Sequence, residues 1–160
     1  TRYWRDWSSD VCSSDLNVFV LDSGLVKLVD FGVAKFEGAE VTIDADGMVL
    51  GTPSYLAPEI LLNGDPASRA ADVYGMGVVA WEVLVGQKQW TSPDLANLMA
   101  AMAVQPPPSP RKLQPELTQD ASDLLLELID RDPSRRPTKA HSVASRLERE
   151  AKKLGWRPKA

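Results

Sequence analysis

The stretch SRAADVYGMGVVAWEVLV, residues 68–85, constrains this chain more than any other. Glycine and valine follow one another on every side of the segment, so a helix built from it has no polar face to offer to water. A helix that is hydrophobic all round must be surrounded by protein or by lipid. Lipid is disfavoured: the 16 residues from 70 to 85 make about 24 Å of helix against a hydrocarbon core of ~30 Å, and Asp72 and Glu82 fall inside the stretch. The sequence therefore predicts a core helix, with serine at its N-cap and the rest of the chain arranged around it.

Composition narrows what that chain does. At 160 residues it has the length of one domain, and 25% charged residues with a net charge of −4 fit a soluble protein with no overall attraction for nucleic acid. A single cysteine, Cys12, rules out an internal disulfide and a paired-thiol metal site, and a single histidine, His141, argues against zinc or a Ser-His-Asp triad. Carboxylates, hydroxyls and backbone amides remain as the chemical equipment. No charged n-region followed by an apolar run marks a secretory signal, so the expected location is cytoplasmic. No pattern specifies an oligomeric state or a membrane anchor. The basic C-terminal residues 151–160 read as a solvated tail.

Around the core helix the pattern is α+β. Residues 17–22 and 26–30 are short β-like runs separated by a Gly-containing turn, which predicts a β-hairpin. Residues 31–50 form a long loop with no regular apolar period, and long loops in compact domains tend to carry function. A short helix is expected over 57–62, with Pro58 in its first turn and closure at Asn63-Gly64. A further helix should start at Ser92-Pro93 and run to about Val104. QPPPSPRKLQP, residues 105–115, is expected to exclude regular structure. Thr118 or Ser122 caps the next helix. Ser134 or Thr138 caps the last, with Val143, Leu147 and Leu154 on its apolar face.

Four motifs stand on this frame. Asp30-Phe31-Gly32 puts a carboxylate at a strand end with a glycine two residues on, a suitable place for an oxygen-bound divalent cation. Gly51-Thr52-Pro53-Ser54-Tyr55-Leu56-Ala57-Pro58-Glu59 follows the long loop. Asp72-Val73-Tyr74-Gly75-Met76-Gly77 opens the core helix, and Asp132-Pro133-Ser134-Arg135-Arg136-Pro137-Thr138 comes near the end. In this order and spacing they resemble the C-terminal lobe of a eukaryotic-type serine/threonine protein kinase of the bacterial kind. The resemblance runs over residues 17–147. It implies a protein-kinase-like fold, mostly helical, with ATP and Mg2+ as cofactors and the Ser/Thr hydroxyls of proteins as substrates.

Carried over by resemblance, Asp30 chelates the magnesium that bridges the β and γ phosphates, and Asn17 holds a second magnesium. Phe19 floors the adenine pocket. Thr52 belongs to the substrate-docking loop and distinguishes serine/threonine from tyrosine kinases. Thr42, the sole hydroxyl of the long loop, is the candidate phosphorylation switch. Glu59 and Arg136 form a buried ion pair between docking loop and helical core. Asp72 accepts backbone hydrogen bonds from the catalytic loop, which an acid in an apolar helix needs.

The resemblance also exposes gaps. No G-x-G-x-x-G loop, no V-A-I-K lysine and no H-R-D occur in the sequence. Five residues before Asn17, where the family has its catalytic aspartate, stands Cys12; Asp15 is three residues too close to substitute. Residues 1–16 contain Ser-Ser-Asp twice and resemble a translated sequencing adapter, so they are set apart from the partial kinase domain of residues 17–150. The expectation is a kinase fragment lacking its N-terminal lobe, whose complete parent phosphorylates protein hydroxyls. The alternative is a pseudokinase-like interaction module.

Overall fold

The computed structural model describes residues 18–20, 26–28, 53–90, 92 and 94–153. The chain divides into two compact units, one holding the N-terminal strands and the other the helices. In the first, β1 (Val18–Val20) pairs antiparallel with β2 (Val26–Leu28), placing Phe19 opposite Lys27. The residues joining the two strands lie outside the described residues.

The second unit is helical: α1 (Pro58–Asn63), α2 (Arg69–Val85), α3 (Leu95–Val104), α4 (Pro110–Leu113), α5 (Gln119–Leu128) and α6 (Ala140–Lys153), with 3-10 turns at Pro53–Tyr55 and Pro133–Arg135. The caps explain most of the boundaries. Pro58 opens α1, where its missing N–H costs nothing, and Gly64 closes it at φ 72, a left-handed conformation that glycine adopts without strain. Ser68 accepts from the amide of Ala71 at the start of α2, and Thr118 accepts from Ala121 at the start of α5.

Three boundaries differ from the sequence expectation. α3 starts at Leu95, because Asp94 takes the N-cap and its carboxylate accepts from the Asn97 amide at 2.8 Å; the hydroxyl of Ser92 instead donates to the carbonyl of Asp94. A carboxylate is the better cap, since it also meets the positive end of the helix dipole. Within the proline-rich segment, Pro110 begins the four-residue α4, having the φ that a first helical turn requires. Neither Ser134 nor Thr138 precedes α6 directly: the carbonyl of Lys139 receives its first backbone hydrogen bonds, and Ser134 lies in the preceding 3-10 turn.

α2 is the centre of this unit. Tyr74, Val78, Trp81 and Val85 join Leu98, Met102, Leu117, Ala121, Leu125 and Ile129 in the main core, while Val73 meets Leu124, Leu128, Val143 and Leu147 in a smaller cluster. Gly77 is the closest approach to α5: a Cβ there would stand 2.7 Å from Cβ of Leu128. Among the described residues α2 is not enclosed on every side, however. Asp72, Met76 and Val83 lie along one exposed stripe, with Met76 38% and Val83 50% accessible, because the described helices pack on the opposite side only.

Candidate functional site

Of the motif-bearing sequence, the structure places the segment after Thr52, the start of α2 and residues 132–138. Pro53–Tyr55 forms a single 3-10 turn, closed by the Leu56 amide donating to the Pro53 carbonyl at 3.1 Å. Ala57 then enters α1 in an extended conformation, and its carbonyl accepts from Ile60 and Leu61. The turn is held against α2 by Tyr55, whose hydroxyl donates to Glu82 Oε2 at 2.7 Å, with the Lys88 ammonium 5.7 Å from the centre of the tyrosine ring.

Glu59, one residue past Pro58, points into the core and meets Arg136, 77 positions along the chain. Arg136 Nη1 donates to Glu59 Oε1 at 2.6 Å and Nη2 to Oε2 at 2.7 Å, the two-pronged geometry that a guanidinium fork offers a carboxylate. The remaining donors reach backbone carbonyls: Nη1 that of Ala70, Nε that of Asp130 and Nη2 that of Arg131. The guanidinium also lies 5.0 Å over the ring of Tyr74. Arg136 is 2% exposed, so this charge is removed from water and must be satisfied by protein. One side chain thereby joins α1, the start of α2 and the loop after α5.

Tyr74 borders the same centre. Burial pushes its hydroxyl up to about 12, against the opposing effects of a side-chain hydrogen bond with Trp90 and of the nearby Arg136 charge. It stays neutral and protonated, which suits a ring lying between a cation and the apolar core.

The other sequence candidates fall as follows. Asn17, Asp30, Thr42 and Thr52 lie outside the described residues, and of Phe19 only the strand backbone is described. Asp72 is in the first turn of α2 and exposed. There its carboxylate lies at the favourable end of the helix dipole, and the catalytic-loop backbone from which the resemblance has it accept hydrogen bonds lies outside the described residues. Among the described residues no group of three or more His, Cys, Asp or Glu is placed to hold a metal ion. The contact between Tyr55 and Glu82 was not anticipated. Its signal was an acid inside an apolar helix, which in the sequence served only as an argument against membrane insertion.

A helical unit tied together through a Pro-Glu at the start of a short helix and a distant Arg-Pro is the frame of a known class. The chain belongs to the protein kinase domain family, whose sequence model matches residues 9–147. Among its relatives are serine/threonine-protein kinases of bacteria. It is 38% identical over 121 residues to PknA of Mycobacterium tuberculosis, covering 75% of this chain and 27% of that protein. It is 32% identical over 142 residues to PknA of Corynebacterium glutamicum, covering 89% and 29%. To Pkn1 of Myxococcus xanthus it is 32% identical over 124 residues, covering 75% and 18%. The chain thus spans under a third of the length of each. Protein kinases as a family use ATP with Mg2+ and act on proteins. No helix among the described residues is long and apolar enough to cross a membrane.

Proposed function

We propose that residues 17–150 are the C-terminal-lobe part of a bacterial serine/threonine protein kinase whose complete form transfers the γ-phosphate of MgATP to Ser or Thr hydroxyls of proteins. The observation that carries this reading is the buried Glu59 and Arg136 pair, which anchors the segment following Thr52 to the helical core. A docking segment held this firmly can present a substrate hydroxyl in a fixed geometry, and phosphoryl transfer depends on positioning and electrostatics more than on covalent participation by the protein. In this reading Asp30 and Asn17 are the metal-binding residues, Phe19 borders the adenine, Thr52 contacts the incoming hydroxyl region and Thr42 is the site of a regulatory phosphate.

The same reading makes the 160-residue chain inactive by itself. It contains no H-R-D, no glycine-rich phosphate loop and no V-A-I-K lysine, and residues 1–16 do not supply them. A missing acid/base group alone typically costs ~10²- to 10⁴-fold in rate. Incubating the chain with labelled MgATP and a generic protein substrate should give no phosphate incorporation. The parent protein, obtained by recovering the native coding sequence upstream of Asn17, should phosphorylate Ser or Thr. Incorporation by the isolated chain, or an inert parent carrying an intact H-R-D and glycine loop, overturns the proposal.

A further inference from the structure

α6 is held to the helical unit by different means along its length. In its first half Val143 is buried and Leu147 partly buried against Leu124 and Leu128 of α5. A helix face that carries residues 143 and 147 comes round again at 150. That position holds Glu150, which is only 5% exposed, and from residue 148 to 153 the sole apolar side chain is the methyl of Ala151. A carboxylate therefore stands where the apolar stripe calls for a leucine.

Both of its oxygens are engaged. Oε2 accepts from the hydroxyl of Thr118, and Oε1 accepts from Lys153 Nζ at 2.7 Å. The same ammonium donates to Asp120 Oδ2 at 2.9 Å, and the Thr118 oxygen accepts from the Ala121 amide at 3.0 Å. One polar network thus links the last turn of α6 to the N-cap of α5. The ammonium of Lys153, and after it the hydroxyl of Thr118, hold the Glu150 carboxyl below its ordinary value, so it is ionised at neutral pH.

Polar and apolar fastenings release differently. Lifting Leu147 from α5 exposes apolar surface, which water resists. Lifting Glu150 and Lys153 returns two charges to water, which solvates them, so the docked and open states of this end differ little in free energy. A covered carboxylate is tolerated only with its partners in place, so the network makes or breaks as a whole.

We propose that residues 148–153 are a detachable strap, with Glu150 as its latch on the N-cap of α5. Docked, the strap orients the Thr118 hydroxyl: the proton goes to Glu150 and the oxygen lone pairs turn to the Ala121 amide. Open, that hydroxyl turns freely and the first turn of α5 loses part of its cap. The state of the α6 end is thereby transmitted to α5, and anything that binds the open strap shifts both.

The test is native-state hydrogen exchange on the 160-residue chain near neutral pH, read by mass spectrometry for residues 119–123, 124–128, 140–147 and 148–153. The wild type is compared with Glu150→Gln, Glu150→Leu and Glu148→Gln; Glu148 is exposed on the same turn and is the control. In the wild type, residues 148–153 should exchange about tenfold or more faster than 140–147. Glu150→Gln should speed exchange by about tenfold at 148–153 and measurably at 119–123, leaving 124–128 and 140–147 unchanged. Glu150→Leu should slow exchange at 148–153 by about tenfold, because an apolar side chain there fastens the strap. Glu148→Gln should change nothing. Equal protection of 140–147 and 148–153 in the wild type overturns the proposal. So does a Glu150→Gln effect that is absent, spread evenly over all four segments, missing at 119–123 or matched by Glu148→Gln, or a Glu150→Leu strap that exchanges as fast as wild type or faster.

Discussion

Arg136 uses its guanidinium against Glu59 and three backbone carbonyls, so its removal would leave a buried carboxylate and several carbonyls without partners. Such a pair need not add much net stability over an apolar replacement, but breaking it from one side typically costs about 3 to 5 kcal/mol. Urea unfolding of Arg136→Ala should show a loss of that size, and Arg136→Lys should recover only part of it, because an ammonium cannot make the two-pronged contact. Tyr74 gives a second residue-level test. Its hydroxyl is held up near 12 by burial, above the unfolded value of 10.0, so the unfolded chain releases this proton first as pH rises. Its contribution is complete below pH 10 and is lost between 10 and about 12, an effect of at most ~2 to 3 kcal/mol. Alkaline unfolding curves of wild type should fall across that window more steeply than those of Tyr74→Phe; parallel curves would remove the assignment.

Between elements, the tightest constraint is the crossing of α2 and α5 at Gly77. An added methyl would stand 2.7 Å from Leu128 Cβ, 3.0 Å from Ile129 Cγ2 and 3.2 Å from the Leu128 carbonyl carbon, none of them the tip of a long, adaptable side chain. Gly77→Ala gains up to about 1 kcal/mol in helix propensity, yet displacing α5 costs typically 1 to 3 kcal/mol, so the variant should be less stable. Gly75→Ala is the contrast: its nearest neighbour, the Tyr55 carbonyl oxygen, would be 3.5 Å away, an ordinary contact, and the variant should be as stable as wild type or more so. Equal behaviour of the two in thermal melts would show that α5 yields without cost. At the junction of α5 and α6, beside the apolar packing of Val143 and Leu147 on Leu124 and Leu128, Arg146 pairs with Glu127, and the nearby guanidinium holds the Glu127 carboxyl below its ordinary value. These groups are partly exposed and screened, and contribute at most about 1 kcal/mol.

At the scale of the whole molecule, the helical unit carries an apolar stripe on α2 that nothing among its described helices covers. Met76 and Val83 stand at 38% and 50% exposure on the face opposite the core. Changing both to Lys should raise the solubility limit of the chain while shifting its melting temperature little, because neither side chain contributes to the packed interior; a large drop in melting temperature would show that the stripe is buried in solution. What the sequence determined by itself was local and periodic: a core helix over residues 68–85 with its serine cap, the proline start and glycine stop of α1, and the four motifs whose order marks the kinase family. Each of these rests on neighbours within a turn or two, or on an order along the chain. Only the tertiary structure decided which of the two faces of α2 is covered, that Asp72 faces water, and that Glu82 receives the hydroxyl of Tyr55. It also decided which cap wins where Ser92 and Asp94 compete. These depend on residues brought together from 27 or more positions apart, or on small differences between neighbouring hydrogen-bond acceptors, and no spacing rule along a single strand of sequence encodes them.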